Sequence, residues 1–309
     1  MPEQTAIAPL SSSVQQHKSL LLEQLELSVQ RNSGSRLQRT LRAPLPLLTS
    51  KAIEKYCQIT GSTWMLQAEL FWGERMNVVF PEIVSCFLYR YGFFEPDLTR
   101  MVIQSVNPGD TVFDIGAHFG YYSLLASHLV GPQGQVHSFE PTRHTHEVVR
   151  SNVSGKGNVK LTNSAAWSED TELKFKDFGM TMSAFNSLYE AKLEDAIAQK
   201  HQPTEYVVSA ICIDEYIAAN QARPKFIKID AENAEYDILL GMKRTLNEIR
   251  PLVTLEVGDV KAGNYKDSAS AVRLLIQHGY QAKEWKNGRL CNHSPASSYR
   301  HTNLLFVPD

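Results

Sequence analysis

Residues 111–140, TVFDIGAHFGYYSLLASHLVGPQGQVHSFE, decide how this chain is built. TVFDIG is a short apolar run that ends on glycine and reads as a strand. Gly116 and Gly120 bracket a turn into the helical stretch YYSLLASHLV, and QVHSFE is a second strand closed by Glu140. Strand, glycine turn, helix and strand in this order form the repeating unit of a parallel sheet covered by helices.

The same alternation runs to the end of the chain. HTHEVVRSNV reads as a helix, and a short strand lies around Val159–Leu161. TELKFKDF and EYVVSAICI look like additional strands. KFIKID is a strand, AEYDILLGMKRTLNEI one helix, and PLVTLEV a strand. A helix over Ala269–His278 and strands near Gln281–Trp285 and Leu304–Val307 complete it. The expected fold class is α/β: a mostly parallel sheet with helices on both faces, preceded by an N-terminal extension of helices and a hairpin.

Upstream, residues 1–50 read as a helical extension, 51–110 as a lead-in subdomain and 111–309 as the sheet domain. In SVQQHKSLLLEQLELSVQRN, Leu21, Leu25, Leu22 and Val29 fall at helical spacing, which suits docking on the same domain or a homodimer contact. RNSGSRLQRT, with Arg31, Arg36 and Arg39, reads as a solvated linker. TWMLQAELFWGERMNVVFP reads as a hairpin turning at Gly73. Pro81 is expected to open a helix that ends at Gly92, and a second helix starts near Pro96.

Composition narrows the function. A net charge of −2, from 31 basic and 33 acidic residues, gives no chain-wide attraction to phosphate or anionic lipid, though a local patch can hide within that balance. Neither nucleic acid nor a membrane is therefore an expected partner. The four cysteines form no CxxC pair, which argues against a zinc knuckle or disulfide framework. No apolar run approaches the ~18 residues of a membrane span. The N-terminus lacks the basic start and apolar core of a secretory signal, and a cytoplasmic location is expected.

In an open α/β sheet, ligands bind beyond the carboxyl ends of the strands. The residues found there are Asp114 and Gly116, then Glu140, Asp230 and Glu256. In DIGAHFG the dinucleotide pattern GxGxxG lacks its second glycine, and Asp114 would repel a pyrophosphate. Beside the ammonium of a methionine moiety the same acid is favourable, so the loop Gly116-Ala117-His118-Phe119-Gly120 favours S-adenosylmethionine over NAD. Glu140 is placed to accept both ribose hydroxyls. KFIKIDAENAE is a dense acidic exit, where Asp230 and Glu232 could handle a proton or a cation. Lys228 faces the same way as Asp230, with Glu256 as its expected partner if its role is structural. His144-x-His146 has the spacing of a metal fork, but reads as solvated.

Taken together, RMNVVFPEIVSCFLYRYGFFEPDL, GDTVFDIGAHFGYYSLLA, QVHSFEP, NSAAWSED, KFIKIDAENAEYDILLGM and PLVTLEV resemble the FkbM-type methyltransferase family over about Met76–Val257. The resemblance implies a class I methyltransferase fold, a Rossmann-like, seven-stranded, mostly parallel sheet, with S-adenosylmethionine as cofactor and O-methylation of a hydroxyl on a small molecule (a sugar, polyketide or peptide natural product). It also implies cofactor contacts for Glu95, and for Ala165 and Ala166 beside the adenine. Two positions depart from the family pattern: His118 replaces asparagine in GANxG, and Asn233 replaces glycine in KxDxEGxE. Asparagine tolerates left-handed backbone angles, so that turn is expected to survive.

Methyl transfer to a hydroxyl needs alignment and a proton acceptor. Asp230 or Glu232 is the expected acceptor, with His118 next and a desolvated Lys228 more distant. Magnesium held by Asp230 and Glu232 is a second route. Phe185, Asn186 and Tyr189 are expected acceptor contacts. Two other readings share the fold: a nicotinamide oxidoreductase, and a catalytically silent binding protein.

Overall fold

A computed structural model describes residues 12–42, 44–188, 202–258 and 267–309. The chain begins with helices α1 (Ser12–Asn32), α2 (Arg36–Arg42) and α3 (Pro44–Thr60), followed by the hairpin β1 (Trp64–Glu69) and β2 (Arg75–Phe80). Helices α4 (Ile83–Tyr91) and α5 (Pro96–Ser105) lead to β3 (Thr111–Ile115), α6 (Tyr121–Val130), β4 (Gln135–Phe139), α7 (Arg143–Val153) and β5 (Val159–Thr162). Strands β6 (Ala165–Trp167) and β7 (Thr171–Asp177), a 3-10 turn at Met180–Phe185, β8 (Thr204–Cys212) and α8 (Ile213–Asn220) come next. The chain closes with β9 (Phe226–Ile229), α9 (Glu235–Leu240), β10 (Leu252–Val257), α10 (Ser268–Gln277), β11 (Tyr280–Lys286), β12 (Arg289–Asn292) and β13 (Thr302–Pro308).

The main sheet has eight strands in the order β12-β11-β13-β10-β9-β3-β4-β5, not the seven expected. The extra strand is β12, whose sequence RLCN, two half-buried residues between two exposed ones, carries no strand alternation. Strands β5, β4, β3, β9 and β10 are parallel neighbours, and β13 enters antiparallel beside β10. After β5 the chain returns to the other side of β3, so the order reverses between β3 and β9. A crevice opens at such a reversal because the connections leave in opposite directions. TELKFKDF and EYVVSAICI do form strands, but in a separate three-stranded sheet, β6-β8-β7.

Three local expectations need correction. Pro81 stands outside α4: Glu82 is the cap, and its carboxylate accepts from the backbone N–H of Val84 and Ser85 at 2.9 and 2.7 Å. Those are orphan donors of a helix start. AEYDILLGMKRTLNEI is not one helix, because α9 stops at Gly241 and a π-helical turn spans Thr245–Ile249. Gly241 packs on the backbone of β6's end, where an added Cβ would lie 2.1 Å from the Trp167 carbonyl. Helix α2 begins inside the stretch read as a linker.

Helix α1 docks on its own domain. Leu21 and Leu25 are buried in a cluster shared with Cys57, Leu98, Met101 and Val112, so extension, lead-in and sheet domain have one continuous core. Residue 50, the expected end of the extension, lies inside α3. Lys18 is buried as well, and donates to the Gln104 carbonyl and Asn107 Oδ1 at 2.9 and 2.8 Å. Among the described residues no helix is long and apolar enough to cross a membrane. Because Leu25 is fully buried, Leu25→Ala is expected to destabilise the whole protein by about 2–5 kcal/mol in urea unfolding. An unchanged midpoint would mean that α1 is peripheral.

Candidate active site

Across the middle of the sheet runs a buried polar row. Ser138, Asp114, Lys228 and Thr254 stand opposite one another on β4, β3, β9 and β10. The Lys228 ammonium lies 3.2 Å from Asp114 and 3.5 Å from Asp230, and donates to the Gly116 carbonyl at 3.0 Å. Burial alone would lower its pKa, but the two aspartates outweigh burial and hold it above the usual lysine range. Asp114 also accepts from Ser123 Oγ at 2.6 Å. Asp114 therefore sits behind the loop as a partner of Lys228, while Glu256 lies 2.9 Å from His301. A lysine held protonated by two aspartates is a poor proton acceptor.

Beyond the strand ends lies a cavity of about 590 Å³, a size typical of small-molecule sites. Its lining includes Glu95, Gly116, Ala117, His118, Glu140, Ala165, Ala166, Asn186, Asp230 and Glu232. The structure thus gathers most of the residues singled out in the sequence around one space. Gly116, at φ +77°, meets something other than a ligand: an added Cβ would lie 1.8 Å from the Asp230 carbonyl, so glycine lets the β9 exit close on the loop. Gly120, at φ +92°, makes room for Val149 of α7. Tyr189 falls outside the described residues, as does the side chain of Phe185. Asn186 uses its Oδ1 to accept from the Phe178 N–H at 2.8 Å.

Glu140 is buried and accepts from the backbone N–H groups of His118 and Thr142 at 2.9 and 3.0 Å. Burial raises its pKa to about 7, against the pull of those two donors. His118 stacks on Phe119, and its Nε2 is 2.8 Å from Ser183 Oγ. Burial, with the Lys228 charge added, pushes its pKa down to about 3, so the ring stays neutral. His144 lies 3.3 Å from Asp177, tethering α7 to β7 instead of forming a metal fork with His146.

At the far end of the cavity the sequence reading missed two residues. His301, immediately before β13, places Nδ1 at 2.9 Å from buried Glu256 and Nε2 at 3.5 Å from Glu95. Asn303 donates to Glu95 Oε1 at 3.0 Å. Hydrogen bonding to Glu256, then to Glu95, raises the His301 pKa to about 10, although the ring is 62% exposed. No spacing links His301 to Glu256; only the antiparallel register, with Val257 opposite Thr302, brings them together.

Backbone strain marks the same place. Glu95, His118, Glu232 and Asn233 all have positive φ, at 38°, 49°, 49° and 78°. Non-glycine residues seldom adopt these angles; the other described residues that do, Gln221, Arg250 and Asn287, end helices or turn a hairpin. Asn233 meets the expectation that it would replace glycine in the turn.

The two histidines should titrate in opposite directions. In an NMR titration His118 is expected to stay neutral well below pH 6.5, and His301 to stay protonated well above it. A midpoint near 6.5 for either ring would contradict this arrangement.

The family model described as the methyltransferase FkbM domain matches residues 114–282. A 31-O-demethyl-FK506 methyltransferase FkbM from Streptomyces tacrolimicus is 29% identical over 217 residues, covering 63% of this chain and 81% of that protein. A hexuronic acid methyltransferase AglP from Haloferax volcanii is 22% identical over 186 residues, covering 59% of this chain and 68% of that protein. The crystal structure of a methyltransferase FkbM from Methylobacillus flagellatus KT aligns with a TM-score of 0.41 at 14% identity, covering 72% of this chain and 52% of that one. The family match spans more than half of the sequence, from the Asp114 loop to β11, and this chain belongs to the FkbM methyltransferase domain family.

Proposed function

We propose that this chain is an S-adenosylmethionine-dependent O-methyltransferase acting on a hydroxyl of a secondary metabolite or sugar. The observation that carries the reading is the polarity of the cavity. Glu140 lines it together with the apolar Phe139, Pro141, Ala165 and Ala166, and the carboxylates of Glu95, Asp230 and Glu256 line it as well. A ribose diol, an adenine ring and a cationic methionine moiety match these surroundings in turn. The same carboxylates disfavour a pyrophosphate, which argues against a nicotinamide cofactor.

When bound, S-adenosylmethionine supplies an electrophilic methyl group on a sulfonium. This chain's residues orient the acceptor, exclude water and take the hydroxyl proton. Asp230 is the weaker base, since the Lys228 charge 3.5 Å away favours its ionised form. Glu232, at the tip of the β9 exit on strained backbone, is the proton acceptor we assign. His118, neutral and fixed by Ser183, is the second candidate. Met76, Ile83, Val84, Phe87, Leu88 and Phe94 wall the cavity from the lead-in segment, which suits an acceptor with an apolar body beside its hydroxyl. Magnesium is the alternative way to acidify that hydroxyl. Carboxylate oxygens of Asp230, Glu232 and Glu256 lie within 4.8 Å of one another, near enough to converge on such an ion after a small closure.

Isothermal titration with S-adenosylmethionine tests the cofactor. An absence of binding would reopen the nicotinamide reading, and binding without turnover on any hydroxyl would favour a silent relative. Glu140 must be ionised to accept two ribose hydroxyls, so S-adenosylhomocysteine affinity should rise as pH rises through about 7. Glu140→Gln should weaken binding about tenfold or more and abolish that dependence. Glu232→Gln should leave affinity nearly unchanged while lowering kcat at least about tenfold; unchanged turnover removes Glu232 from the mechanism. Full activity in EDTA disposes of the magnesium route.

A further inference from the structure

We infer that the outer face of α3 is a docking surface for an anionic membrane. Leu45, Leu48, Ala52, Tyr56 and Ile59 recur at steps of three and four residues, which places them along one face of the helix. That face points away from the protein. Leu45, Leu48, Tyr56 and Ile59 are 74, 59, 49 and 75% exposed, and Leu41 just upstream is 72% exposed. The opposite face is fastened down: Leu47 and Cys57 are buried, and Ser50 and Glu54 pair with Arg90 of α4. A stripe of large aliphatic side chains facing water marks an interaction surface.

Charge identifies the occupant. Residues 31–59 carry six basic residues, Arg31, Arg36, Arg39, Arg42, Lys51 and Lys55, against one acid, Glu54, in a chain whose net charge is −2. Glu54 is itself engaged by Arg90. Arg31, Arg42, Lys51 and Lys55 are exposed, and the two lysines sit beside the stripe on α3. A second copy of the chain would bring the same cations to the same seam, because a two-fold contact pairs a patch with itself. Nucleic acid would answer the charge but leave the aliphatic stripe without a partner. A bilayer with anionic headgroups answers both: side chains such as Leu45 and Ile59 enter the acyl boundary while lysines and arginines meet phosphate. Trp64 on β1, 44% exposed and 5.2 Å from the Tyr56 ring, extends the patch with the aromatic type favoured at membrane interfaces. Helix α3 packs on α4, whose Ile83, Val84 and Phe87 wall the cavity, so docking here sets the substrate site close to the lipid surface.

The test is co-sedimentation of the full chain with vesicles of phosphatidylcholine alone or mixed with phosphatidylglycerol. Binding is expected only to the anionic vesicles, and it should weaken with added salt. Each basic group near such a surface strengthens partition about fivefold, so Lys51→Glu with Lys55→Glu should reduce it about tenfold or more. Leu45→Ser with Leu48→Ser and Ile59→Ser should reduce it comparably, with circular dichroism and S-adenosylmethionine affinity unchanged. The inference fails if anionic vesicles do not bind the chain, or if both variants bind as well as the parent. It fails equally if light scattering shows a dimer that the triple serine variant converts to monomer, which would assign the stripe to a second copy.

Discussion

Lys228 is an ammonium ion buried in the centre of a sheet, and the site is built around the means of keeping it there. An unpaired charge at that depth would not survive, so Asp114 on the neighbouring strand and Asp230 two residues on both approach it. The strand order makes this pairing available, because β3 and β9 become neighbours only where the chain reverses direction across the sheet. Removing one member of such a pair typically costs about 3–5 kcal/mol, more than a well-packed apolar replacement of the whole pair would. The ion pair therefore serves position more than stability. Through Lys228 and the Gly116 carbonyl it ties the glycine loop to the β9 exit, and those are the two segments that carry His118 and Glu232.

The strain around the cavity follows from that closure. With Asp230's carbonyl packed against Gly116, the chain must turn sharply on both sides, and His118, Glu232 and Asn233 take up positive φ. Each such residue costs on the order of 1–3 kcal/mol, offset by the core beneath, where Phe113, Ile115, Ile227 and Ile229 are fully enclosed. The reward is side-chain direction. Glu232 and His118 face the cavity because the backbone cannot relax into a helix or strand that would turn them away.

Two regions of different character then meet over the crevice. The strand ends supply carboxylates, while the lead-in helices supply an apolar wall, and His301 with Asn303 ties Glu95 of one to Glu256 of the other. The exposed, basic face of α3 lies on the outside of that same lead-in layer. A local charge excess invisible in the chain-wide balance thus has a definite place in the fold.

How much of this was legible depends on the range of the forces involved. The local pattern alone determined the strand–loop–helix at Thr111–Val130, the acid at Glu140, the acidic exit at Asp230 and Glu232, and the docking stripe of α1. In each case periodicity or turn chemistry acts over a few residues. Asp114 and Lys228 were visible as charged residues, but their pairing was not, because the partner is chosen by strand order and not by spacing. The break at Gly241 is invisible without the Trp167 carbonyl it rests on. The eighth strand follows from Asn287-Gly288, whose positive φ of 53° and 77° fold β12 back on β11, a turn signal in the sequence that the strand pattern of RLCN does not repeat. His301 entered the site only through the register of β13 on β10. Residue chemistry determined which groups this protein has to work with; non-local packing decided which of them meet, since contacts between distant strands are set by the burial of whole faces.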